Sequence, residues 1–138
     1  MSIVQTQTTS FKKELYQAIH DLSTDTIKIA LYTGNANLNE ATTVYSATNE
    51  VVASGYTAGG EIMTGVAISS SGYVAYANWN NVSWTASLTA RCALIYNVTQ
   101  GNKSIAVLDF GSDKTSTTTF TITMPANTST TALIRSSN

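Results

Sequence analysis

Three glycines fall within six positions of "EVVASGYTAGGE", residues 50–61. Such a density suits a phosphate cradle, a dinucleotide turn or a strand rounding a corner. A dinucleotide fingerprint needs G-x-G-x-x-G between a strand and a helix, and a P-loop needs G-K-[ST]. Gly55, Gly59 and Gly60 have neither spacing and run into the strand-like "EIMTGVAIS". Positive φ at a corner between strands is the expected role.

His20 is the only histidine, so a Ser–His–Asp or Cys–His arrangement would have to use it. Near Glu14 and Asp21, at the end of a helical pattern, it reads as a solvated residue favoured by the helix dipole. Glu40, Glu50, Glu61, Asp109 and Asp113 could in principle supply the carboxylate pair of a glycosidase. "DFGSDK", however, reads as a turn in which Asp109 and Asp113 bond local N–H groups, with too few oxygens for a dedicated calcium site. Cys92, between Arg91 and Ala93, reads as a small buried hydrophobe. Tyr56, Trp79 and Trp84 have two readings, core aromatics or a surface patch that stacks on a sugar or partner. No catalytic, cofactor-binding or metal-binding residues are expected, and the chain is expected not to be an enzyme.

The elements that must position these groups follow from composition. A chain of 138 residues with one cysteine fits one domain held by packing, without a disulfide framework or a four-thiolate zinc site. Seven basic and eight acidic side chains give a net charge of −1, which argues against a phosphate-tracking nucleic-acid surface. Neither a secretory signal pattern nor an apolar run of membrane-spanning length is found, so the chain reads as made and kept in a cytosol. Asn81, Asn97, Asn102 and Asn127 begin N-x-[ST] triplets, by-products of a composition rich in Thr and Ser. The 23 Thr and 16 Ser favour strands and loops built without much proline.

From Ser10, read as the N-cap, "FKKELYQAIHDLS" places Phe11, Leu15, Ala18, Ile19 and Leu22 on one stripe, which predicts a helix over 11–23. "TIKIALYT" alternates like a half-buried strand. "TVYSA", "EIMTGVAIS", "GYVAYANW", "NVSWT", "TARCALIYN", "KSIAVLDFG", "TTTFTITMP" and "TALIR" follow at the spacing of sandwiches and barrels. In "TTTFTITMP" the residues Phe120, Ile122 and Met124 point one way and the threonines the other. The near-continuous runs "CALIYN" and "SIAVLDF" imply strands covered on both faces. The expected fold is mainly β, an antiparallel, jelly-roll-like sandwich with one N-terminal α-helix. Residues 1–9 are expected to form an arm and residues 10–138 a single domain. Ile3 and Val4, apolar in a polar arm, are candidates for adding a strand to a partner's sheet edge, with the arm dispensable for folding.

"FKKELYQAIHDL", "IKIALYT", "YSATNEVVASGYTAGGE", "WTASLTARCALIYN" and "AVLDFGSDK" together resemble a family of small virion proteins of tailed bacteriophages whose genes lie among the head genes. The resemblance runs from about Phe11 to about Pro125 and is most specific in "TNEV..SGYTAGG" and "ARCALIYN" followed by "AVLDFGSDK". Cys92 departs from the small residue usual there. The resemblance implies a virion structural protein, foremost a capsid decoration or cement protein on the phage head surface. Such a protein is made in the host bacterial cytoplasm, bridges subunits of the major capsid protein and acts as a homo-oligomer, trimer or dimer, without nucleic-acid or membrane partners. A tail or fibre component contacting the host surface through Tyr56, Trp79 and Trp84 is the alternative.

Overall fold

The computed structural model describes residues 2–137. Its elements are β1 (Thr6–Gln7), α1 (Thr9–Tyr16), β2 (Ile27–Tyr32), β3 (Glu61–Ile62), β4 (Ala67–Ser71), β5 (Val74–Asn78), β6 (Val82–Trp84), β7 (Leu88–Asn97), β8 (Lys103–Ser116), β9 (Phe120–Ile122) and β10 (Ile134–Ser136). The fold is mainly β with one short helix, as expected, and every pair of neighbouring strands is antiparallel.

One sheet orders its strands β1-β8-β7-β2-β3, and two smaller ones are β10-β5-β4 and β6-β9. The alternation in β2 divides its residues between two cores. Ile27, Ile29 and Leu31 join Ile95, Ile105, Trp84, Phe120 and Ile134 in the principal core. Ala30 and Tyr32 face the other way with Cys92, Leu94, Tyr96 and Val107, under Ala36, Leu38, Ile3 and Tyr45. The large sheet is therefore a middle layer, with the small sheets and α1 on one side and the 33–50 loop on the other. This double cover explains the unbroken apolar runs of β7 and the first half of β8.

The N-terminal segment is not a free arm. Thr6 and Gln7 pair with Val107 and Ala106 of β8, Ile3 bridges Leu38, and the Val4 N–H donates to the Leu38 carbonyl at 3.0 Å. One side of the segment's main chain is thus bonded within the chain, and Ile3 packs against the second core.

The helix is shorter than the apolar stripe predicts and begins earlier. Thr8, not Ser10, is its N-cap, and its hydroxyl accepts the Phe11 N–H at 3.3 Å. The other end closes at Gln17, where the Ala18 N–H reaches the Leu15 carbonyl and the Ile19 N–H reaches that of Glu14. This is the Schellman arrangement, which requires a left-handed residue at the position after the cap. Ala18, with φ +58°, fills it, so Ile19 and Leu22 follow the helix as an irregular turn rather than prolonging it to residue 23.

Three strand expectations change in detail. "EIMTGVAIS" divides into β3 and β4 around Gly65, whose φ is +67°. "TVYSA" contributes only the antiparallel bridge from Val44 to Lys103, closed by the bonds Tyr45 N–H to the Asn102 carbonyl and Ser104 N–H to the Thr43 carbonyl. "DFGSDK" is a bulge inside β8: residues 110–113 sit opposite Arg91 alone, since Ala90 pairs with Lys114 and Cys92 with Asp109.

Candidate functional site

The stretch "EVVASGYTAGGE" forms a brace beneath the 33–50 loop. Val51 donates to the Leu31 carbonyl, and this contact seats Glu50 with its side chain turned inward, 6% exposed. The carboxylate accepts three hydrogen bonds, from the hydroxyls of Tyr45 and Tyr56 and from the Gly59 N–H at 2.8 Å. The Tyr56 hydroxyl in turn accepts the Leu31 N–H at 2.8 Å, while Tyr96 donates to the Gly59 carbonyl at 2.6 Å. Tyr45 and Tyr96 stack with ring centroids 4.7 Å apart.

The glycines make this approach possible. A Cβ on Gly60 would lie 1.8 Å from the Ile29 carbonyl oxygen, and one on Gly55 would lie 2.2 Å from that of Thr85. Both residues, and Gly59, have positive φ. The corner role read from sequence is observed, with close backbone contact as a second reason for glycine.

Burial disfavours a phenolate, so Tyr32, Tyr45 and Tyr56 are held well above the ordinary phenol range and Tyr96 is pushed up to about 12. The bonds from Tyr45 and Tyr56 to the Glu50 carboxylate add to this, because each needs the hydroxyl proton.

A second network fastens the end of α1. His20 is buried, contrary to the solvated role expected for it. Its Nε2 lies 2.8 Å from the Glu14 carboxylate and its Nδ1 lies 3.0 Å from the Asn97 amide nitrogen. That nitrogen also donates to Asp25 at 2.8 Å, so Nδ1 acts as acceptor and the ring proton sits on Nε2. Both ring nitrogens are engaged within the fold and neither is placed to relay a substrate proton. Burial works against ionisation of Asp25, but the bonds from the Asn97 amide and the Asp21 N–H outweigh it and keep the carboxyl below its usual range.

Of the two local bonds that the turn reading gives "DFGSDK", the structure shows that of Asp109, inside the bulge of β8 rather than in a free turn, and none for Asp113 among the described residues. Asp109 accepts the Gly111 N–H at 2.8 Å and pairs with Arg91, and the two contacts, the backbone one foremost, lower its pKa. Burial, for its part, pushes the Cys92 thiol up to about 11, which suits a packing role rather than a nucleophile.

The surface aromatic patch is not observed. Tyr56, Trp79 and Trp84 are 8%, 5% and 2% exposed and belong to the principal core. Trp84 lies 6.0 Å from Tyr56 and 6.2 Å from Phe120, measured between ring centroids. The pull of burial on large aromatic surfaces outweighs any use of them at the surface.

An open groove of about 860 Å³ lies between α1 and the β10-β5-β4 sheet, lined by Phe11, Leu15, His20, Ile68, Tyr76 and Ile134 among others. Among the described residues no group of three or more His, Cys, Asp or Glu is placed to hold a metal ion, and no helix is long and apolar enough to cross a membrane. Sequence reasoning did not find Glu50 as a hub, nor Asn97 and Tyr96 as partners; each works through loop contacts that carry no local pattern.

Comparison of the chain with protein-family models, with curated proteins and with solved structures gives no match.

Proposed function

We propose that this chain is a structural protein of a tailed-bacteriophage virion, a decoration or cement protein that binds the outside of the icosahedral head and bridges major capsid protein subunits. One observation carries the reading. In "TNEVVASGYTAGG", among the stretches most specific to the phage resemblance, the buried residues Glu50, Val51, Tyr56 and Gly59 form a hydrogen-bonded brace that holds a loop against a sheet. They serve permanence rather than reactivity, and permanence is what a part copied many times over a shell requires.

The surface chemistry fits the same role. A net charge of −1 and exposed Ser and Thr side chains suit contact with a protein shell better than with nucleic acid. Binding by several copies at a local symmetry axis would make modest contacts add up through avidity. Burial of Tyr56, Trp79 and Trp84 removes the feature that favoured a tail or fibre role.

The test is cryo-electron microscopy of virions of the phage that encodes the chain, with head symmetry imposed. Density for this fold at repeated sites over the shell is expected. A bare shell, with the chain detected by mass spectrometry only in purified tails, would overturn the proposal.

A further inference from the structure

We infer that strand β4 is a self-pairing edge: two copies of this chain join their Ala67–Ser71 strands antiparallel about a two-fold axis at Ser69, making one six-stranded sheet from two three-stranded ones.

An uncovered strand edge invites pairing with another chain, and folded proteins usually blunt such edges by shortness, charge, a bulge or a cover. The other edges here are blunted in those ways. β1 and β3 are two residues long, and β6 and β9 are three. β10 is three residues long, carries Arg135, and has the Arg135 carbonyl capped by the Gln7 amide at 2.8 Å. The outer half of β8 carries Asp109, Asp113 and Lys114 and is bent by its bulge.

β4 has none of these devices. It is five residues long, "AISSS", without charge or proline, and every residue is exposed. Among the described residues its main chain bonds only to β5. Its one large apolar side chain, Ile68, is 55% exposed.

The register decides which groups are free. Gly72 and Tyr73 make the two-residue turn between β4 and β5, so Ser71 and Val74 are its closing, hydrogen-bonded pair. Alternation then directs the main-chain groups of Ala67 and Ser69 toward β5 and those of Ile68 and Ser70 outward. A two-fold axis at Ser69 sets Ile68 of each copy opposite Ser70 of the other, so all four outward N–H groups meet outward carbonyls. Ser69 meets its own copy as a non-hydrogen-bonded pair, where side chains come closest. The neutrality of the strand favours a second copy as the occupant, because any charge at its centre would face itself across the axis. Isologous pairing of this kind closes at two subunits. The inference stands independently of the virion reading.

The experiment measures the mass of the full chain in solution at micromolar concentration, by sedimentation or light scattering. A species of two 14.6 kDa chains is expected. Ser69→Glu and Ser69→Lys, at an exposed position on the solvent face, should each keep the native circular dichroism spectrum and weaken the dimer by about tenfold or more. An equimolar mixture of the two variants should restore it. Ser69→Cys should cross-link into a dimer under mild oxidation, since Cα atoms in such a pair lie about 4.5 Å apart, within disulfide reach. A monomeric wild type, a trimer, or a dimer indifferent to charge at position 69 would each overturn the inference.

Discussion

Replacing Glu50 with alanine tests whether the brace under the 33–50 loop holds the fold together. The substitution leaves the buried Tyr56 hydroxyl and the buried Gly59 N–H without an acceptor. Each such orphan costs about 1–3 kcal/mol, so the pair should cost about 2–6 kcal/mol. Tyr45 is only half-buried and its hydroxyl can turn to water, adding little. Working against the loss is relief of the desolvation that a buried carboxylate endures. The hydrogen bonds should win, because three donors converge on the carboxylate. Urea unfolding followed by the fluorescence of the buried Trp79 and Trp84 measures the difference, which should appear as a lower midpoint at unchanged slope. In a thermal scan the loss should lower Tm by about 10 °C or more. Tyr45→Phe serves as the control, with a loss under about 1 kcal/mol. If Glu50→Ala also loses less than about 1 kcal/mol, desolvation cancels the bonds and the brace contributes shape, not stability.

Gly60→Ala should cost more than Gly101→Ala. Both positions have positive φ, worth about 1–2 kcal/mol for alanine, but only at Gly60 does the new Cβ strike a carbonyl, so paired urea curves isolate the clash. Ala18→Gly should raise stability by about 0.5–1 kcal/mol, because glycine takes the left-handed position after the helix cap without strain; an unchanged midpoint would mean that Ala18 sits there at no cost. Tyr32, Tyr45, Tyr56 and Tyr96 have folded-state pKa values raised above the ordinary phenol value. Their contribution is therefore complete below pH 10 and lost as pH rises through the folded values, about 12 for Tyr96. Phenolate absorbance should show these four ionising together with alkaline unfolding, and smooth ionisation of the intact fold would contradict the burial argument. Deleting residues 2–9 removes the Thr8 cap and strand β1; the truncated chain should unfold at markedly lower urea, whereas a dispensable arm would leave the midpoint in place.

The strands with the longest apolar patterns were legible in the sequence because burial on two faces leaves little choice of residue, as in "CALIYN". The helix boundary was not, since the stripe through Ile19 and Leu22 continues past Ala18 and only the backbone turn there breaks it. "EIMTGVAIS" reads as one strand because the Asn80 side chain that closes on Gly65 lies far along the chain. The aromatics were recognisable as large buriable surfaces, but whether Tyr56, Trp79 and Trp84 face in or out depends on the neighbouring layer. Glu50 looked like any surface carboxylate. Its role emerges only when Tyr45, Tyr56 and Gly59 fold around it, and no short-range spacing encodes that convergence. The free edge of β4 was equally hidden, because exposure of a strand is a property of sheet order.

The pairing of β1 with β8 also orders events during synthesis. Thr6 and Gln7 are made before their partners Val107 and Ala106, which follow roughly a hundred residues later, on the order of 5–20 s at typical elongation rates. Until residues 88–97 are made β2 lacks β7 as well, and the apolar faces that will meet in the middle layer stay uncovered. A chain interrupted just before residue 106 holds the strands of the β4-β5 hairpin and of the β2-β7 pair, but it cannot seat β1 or close its large sheet. The large sheet is thus closed by its most distant members: the first strand waits for the eighth, and the order in which the layer can be completed follows from topology.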